Sequence, residues 1–242
     1  MASAPIKILT SMATKDALDG LIAEYPPAAT QPIAIESVGG VKAAERVRAG
    51  EVLDVIVLAA DVIDGLIAEG KVRAGSRHDF ASSGVTVCVP AGAPRPDLGS
   101  AASVKRAVLA AATVCYSTGP SGVYLEKLFE QWGITAAVKA KLVIAPPGVA
   151  VGALVAAGKG AIGFQQLSEL IHIKGIDIVG GLPQDIQKRT TFSAGIPVTS
   201  GPSQPSELSE PSQHLEATQA LLAFLVSPAA AATKRKNGME PA

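Results

Sequence analysis

Two periodicities alternate along the chain. A short apolar run at 6–9 is strand-like, and Leu18, Leu21, Ile22 and Tyr25 then recur at helical spacing on one face until Pro26 and Pro27 stop the helix. The cycle repeats. A strand at 33–35 leads through Ser37-Val38-Gly39-Gly40 into a helix carrying Ala44 and Val47, which closes at Gly50. A strand at 55–58 leads through Ala59-Ala60 into a helix carrying Val62, Leu66 and Ile67, which ends near Gly70. Three strand-turn-helix units in succession predict a mostly parallel sheet.

A fourth strand, 85–89, runs into "PAGAPRPDLGS", whose proline and glycine content suits a crossing between domains. A second series follows: a helix at 103–112, strands at 113–116 and 142–144, a helix at 150–157, and strands at 161–164 and 176–179. Between the first two of these strands, Leu125, Leu128, Phe129 and Trp132 mark an amphipathic helix preceded by the bulk-free "STGPSG", with Ser121 as the N-cap. A strand at 192–198 returns the chain to the first domain. The polar stretch 201–213 reads as a solvated loop, and Leu221, Leu222 and Leu225 mark a final helix whose Lys234, Arg235 and Lys236 are solvated beside its C-terminus. The fold class is α/β, in two lobes: 1–86 with 192–242, and 87–191.

Composition narrows the function. Of the 242 residues 48% are apolar, and 21 basic residues balance 21 acidic ones, so no net charge draws the protein to nucleic acid. Asp54, Asp61 and Asp64 interrupt the best apolar run, which excludes membrane insertion. The start lacks a secretory signal pattern, so the expected location is periplasmic if a signal peptide has been removed and cytoplasmic if Met1 is the native start. Cys88 and Cys115 lie in apolar strands and read as buried free thiols ahead of a disulfide. The three histidines have no partners at ligand spacing, so no metal and no cofactor is expected.

One feature recurs at the strand ends. Ser11, Ser37 with Gly39, Ala59 with Ala60, Ser121 with Gly122, and Gly148 with Val149 all stand where a strand gives way to a small-residue turn and a helix. In open α/β sheets ligands bind at the carboxyl ends of strands, and helix starts carry unpaired N–H groups and partial positive charge. A small anionic ligand is the natural partner of such a set.

The segments "ILTSMATKDAL", "SVGGVKAAERVRAGEVLDVIVLAAD", "YSTGPSGVYLEKLFEQWGI", "VAVGALVAAGKGAIGFQQLSEL" and "FLVSPAAAATKRKNGMEP" together resemble the substrate-binding proteins of molybdate-type ABC transporters. The resemblance implies a type II periplasmic-binding-protein fold, with the ligand clamped between two lobes joined by a two-strand hinge. It matches Ser11 and Ser37 to the family's ligand-binding hydroxyls, and Ala59 or Ala60, Ser121, and approximately Gly148 and Val149 to its backbone donors. Gln166 stands where molybdate-binding members place a tyrosine. If the protein is exported, the resemblance implies an ABC transporter permease as partner.

Some proteins resembling this subgroup are isomerases that shift a double bond in a small tricarboxylate, as aconitate isomerase does. Such chemistry needs a group that takes and returns a proton. Glu36, beside Ser37 at a strand end, is the candidate; a surface carboxylate favouring a helix start is the alternative for it. Gln165 and Gln166 are suited to orienting a carboxylate but not to accepting a proton. The sequence thus predicts a solute-binding protein for a small anion, an oxyanion or a di- or tricarboxylate, with the isomerase as its alternative.

Overall fold

The computed structural model describes residues 4–198 and 210–242. The chain divides into two compact units, Met1–Ser82 with Thr191–Ala242, and Ser83–Thr190.

In the first unit, β1 (Ile6–Ser11) leads through a single 3-10 turn into α1 (Lys15–Glu24), β2 (Ile33–Val38) into α2 (Gly40–Arg48), and β3 (Val55–Ala59) into α3 (Ala60–Ala68). These strands are parallel in the order β2-β1-β3, with Thr10 opposite both Ser37 and Val57. Alternation along the strands explains why helices cover both faces. Ile6, Ile8, Val55 and Val57 point to one side, where they pack with Leu18 and Leu21 of α1. Leu9, Ile56 and Leu58 point to the other, against Ala44 and Val47 of α2 and Ile63 and Leu66 of α3.

The chain passes to the second unit inside β4 (His78–Pro90). The crossing is therefore not the Pro/Gly-rich stretch, which lies wholly within the second unit. Prolines and glycines there serve a surface connection, whereas a continuous strand carries the passage. In the second unit β4 leads to α4 (Ala101–Ala110), β5 (Val114–Ser117), α5 (Pro120–Gln131), α6 (Thr135–Lys139), β6 (Leu142–Ala145), α7 (Val151–Ala156), β7 (Ile162–Gln166), α8 (Leu167–Leu170) and β8 (Ile176–Gly181). β5 pairs in parallel with both β6 and β7, and the far half of β4 is antiparallel to β7 and β8. One face of this sheet packs Val85, Val114, Tyr116 and Phe164 against Leu125 and Phe129 of α5. The other packs Cys88 and Cys115 against Val151 and Val155 of α7.

β9 (Arg189–Gly195) brings the chain back and pairs antiparallel with β3, Ala59 opposite Phe192. The end of the chain is not one helix. α9 (Glu210–Leu225) stops at a 3-10 turn begun by Pro228, and α10 (Ala231–Lys236) precedes β10 (Glu240–Pro241), which pairs with β4. Pro228 forces the break because it offers no N–H to the preceding turn. Of the polar stretch read as a loop, 201–209 lie outside the described residues, while 210–213 belong to α9. Lys234 is not solvated. It is buried, its ammonium 4.6 Å from the centre of the Phe80 ring.

Candidate functional site

Parallel pairing puts Ser11, Val38 and Ala59 at the carboxyl edge of the first sheet. Three helical segments start there without a capping side chain: the 3-10 turn at Ser11, α2 at Gly39 and α3 at Ala59. Ser11 is nearly buried, and its hydroxyl lies 3.4 Å from that of Thr14. The Ser37 hydroxyl meets the Met12 sulfur at 3.6 Å, so it faces the turn that follows β1. Hydroxyls committed only to long contacts keep their hydrogen-bonding capacity for a ligand. At the third start Asp61 partly compensates, its carboxylate accepting the N–H of Val62 at 3.0 Å.

Glu36 does not join this set. Neighbours on a strand point to opposite faces, so Ser37 faces Met12 while Glu36 faces α2. There Arg46 donates to both Glu36 oxygens, at 2.5 and 2.7 Å, and also holds Glu51. The Arg46 guanidinium keeps the Glu36 carboxyl below the usual range, the reverse of what a proton acceptor at neutral pH needs. Glu36 ties β2 to α2; the surface-carboxylate alternative describes it better than the catalytic one.

In the second unit α5 starts at Gly119 and Pro120, not at Ser121. Pro120 fits the first helical position because its missing N–H and fixed φ cost nothing there. Ser121, buried, is the second residue of the helix. Gly122 sits so close to β5 that a β-carbon would lie 1.6 Å from the carbonyl oxygen of Ser117. The turn after β6 has Pro147 and Gly148 at its centre, Gly148 at φ +82°, as a type II turn requires. It is closed by the Val149 N–H donating to the Pro146 carbonyl at 3.0 Å, so the Val149 amide is already engaged.

The two glutamines ending β7 diverge for the same reason as Glu36 and Ser37. Gln166 donates to the Thr190 hydroxyl at 2.8 Å, and its Oε1 is buried with no partner among the described residues. Gln165 lies on the α7 side, where Oε1 accepts the N–H of Val151, the first residue of α7, at 2.7 Å. Its Nε2 donates to Glu169 of α8 at 2.8 Å.

Glu169 is the residue that sequence reading missed. Glu169 is half-buried, and burial pushes its pKa to about 7, with the Gln165 bond opposing. The sequence signal was slight: one acid within "QQLSELI", directly after a strand end.

The chain belongs to the family of bacterial extracellular solute-binding proteins, whose pattern it matches over residues 6–240. Its two-unit α/β architecture is that of the periplasmic binding proteins. The periplasmic molybdate-binding protein of Azotobacter vinelandii superposes with a TM-score of 0.72 at 17% identity, over 97% of this chain and 98% of that one. The sulfate-binding protein of Mycobacterium tuberculosis gives 0.73 at 14% identity, over 98% and 87%. In sequence, the chain is 34% identical to an aconitate isomerase of a Pseudomonas species, over 100% of this chain and 90% of the relative.

Proposed function

We propose that the protein binds a small anion, a tetrahedral oxyanion or a small di- or tricarboxylate, through the helical starts at its strand ends, those of the first unit above all. The observation carrying this reading is the group of uncapped helical starts at Ser11, Gly39 and Ala59, with the Ser11 and Ser37 hydroxyls beside them. N–H groups and hydroxyls grip an anion without an opposing lysine or arginine, as helix starts generally do. The second unit carries strand-end residues of the same kind in Ser121, Gly122, the Gly148 turn and Gln166. The structural relatives named for molybdate and sulfate support an oxyanion, and the isomerase relative supports a carboxylate. The structural neighbours named for molybdenum and tungstate ABC transporters support an ABC transporter permease as partner in the extracellular setting.

Thermal shift with molybdate, tungstate, sulfate, citrate and the aconitates tests this. A ligand at about a hundred times its dissociation constant adds roughly 2.7 kcal/mol, enough to raise Tm by several degrees. A protein whose Tm none of these anions moves is not the receptor described.

A second reading is favoured by the 34% identity over the whole chain: an isomerase that shifts the double bond of an unsaturated tricarboxylate. Incubation with trans-aconitate in heavy water tests it, since reversible proton removal leaves deuterium on the acid. Tight binding with neither exchange nor conversion to the cis isomer leaves the protein a receptor.

A further inference from the structure

An allylic shift needs one group that takes a proton from carbon and one that returns it, and Glu36 is withdrawn into its Arg46 pair. We propose that Glu169 carries this proton, with Gln165 as the residue that positions it. The inference rests on the isomerase reading.

Placement supports it first. Glu169 lies on the short helix that follows β7 directly, at the carboxyl edge where ligands of α/β sheets sit. Gln165 spans from the first amide of α7 to one oxygen of Glu169, at 2.7 and 2.8 Å, and so fixes the carboxyl relative to the turn containing Gly148. The second carboxyl oxygen is not used by Gln165. The chemical surroundings support it next. Glu36 and Glu51 are held by Arg46, Glu69 by Arg48, Asp64 and Asp79 by Arg77, whereas the partner of Glu169 is a neutral amide. Neither α7 nor β7, two elements packed against α8, carries a titratable side chain, and among the described residues no lysine or arginine pairs with Glu169. A carboxyl near neutral serves both as base and as acid at physiological pH.

The step balances without a co-reactant. The Glu169 carboxylate takes a proton from the methylene carbon next to a substrate carboxylate, and the freed electron pair forms the new double bond. The old double bond's electrons collect at the far allylic carbon, which takes the proton back from Glu169. The carboxylate is regenerated and no net proton is consumed.

The test is deuterium uptake from heavy water into trans-aconitate by the full chain, with affinity measured separately by calorimetry. Glu169→Gln, nearly isosteric, is expected to bind within a few-fold of the parent and to lose exchange by at least about a hundredfold. In the parent the exchange rate is expected to rise with pH through about 7 and level off, and Gln165→Leu to move that rise upward by removing a donor to the carboxylate. This profile reads the proton carrier even if a variant folds poorly. Exchange by the parent together with parental exchange in Glu169→Gln, or with a flat pH profile, overturns the assignment and leaves the isomerase reading standing. A parent that binds the acid and neither exchanges deuterium nor converts it to the cis isomer overturns both.

Discussion

The carbonyl oxygen of Ser117 occupies the space where Gly122 would carry a side chain: a β-carbon there would lie 1.6 Å from it. Backbone against backbone leaves no flexible group to yield, so the contact sets how closely the start of α5 approaches the end of β5. Gly122→Ala must push the helix start away, at a cost of about 2–3 kcal/mol in stability. Urea unfolding measures it. A midpoint within error of the parent would show that α5 moves freely, and Ser121 would then not be held in place.

Glu36→Gln separates an ion-pair role from a chemical one. Its carboxylate is exposed and paired with Arg46, and such pairs contribute little. The expected outcome is unchanged affinity for the anion and, on the isomerase reading, unchanged exchange. A loss of exchange beyond tenfold would return the catalytic role to Glu36.

Lys234 gives a pH signature. Burial lowers its pKa from 10.5 to about 8, while the facing Phe80 ring favours the charged form. Between those pH values the unfolded chain holds a proton that the folded one has released. Stability contributed by this group therefore rises as pH goes from about 8 to 10.5, and below 8 the lysine opposes folding. Lys234→Met is expected to raise stability at pH 7 by about 1–2 kcal/mol and to flatten that rise. Chemical unfolding at pH 7 and pH 10 compares the two; a strongly destabilised variant would contradict the reading.

Cys88 and Cys115 flank Gly163 on either side of β7, each in register with it. Two strand spacings separate them, about 9.6 Å between Cα atoms, beyond disulfide reach. Burial pushes the Cys88 thiol up to about 12. Thiol titration is expected to give two free groups after unfolding, even in protein kept in air, and almost none in the native state. Finding fewer than two after unfolding would show that the strands separate enough to pair them.

The strand and helix alternation was legible because each element is covered on a definite face: Ile6 and Ile8 on one side, Leu9 on the other. The junction residues were legible as positions, since small residues must stand where a helix meets a strand end. Direction was harder. Glu36 beside Ser37 looked like one site, yet strand alternation sends them to opposite faces, and only the register with α2 shows Arg46 waiting for the acid. Glu169 was invisible because its chemistry comes from burial and from the Gln165 bond, which appear only once α7 and β7 are packed against α8. Lys234 was misread for the same reason, because nothing local announces that Phe80 will cover it.

The central claim is that a small anion is held by the hydroxyls and backbone donors at the strand ends. Calorimetric titration of the anion that gives the largest thermal shift tests it most directly, on the parent and on Ser11→Ala, Ser37→Ala and Gln166→Leu. The account predicts an affinity loss of about five- to a hundredfold for each change, the equivalent of losing one charge-assisted hydrogen bond. Parental affinity in the Ser11 and Ser37 variants, or in Gln166→Leu, would contradict it.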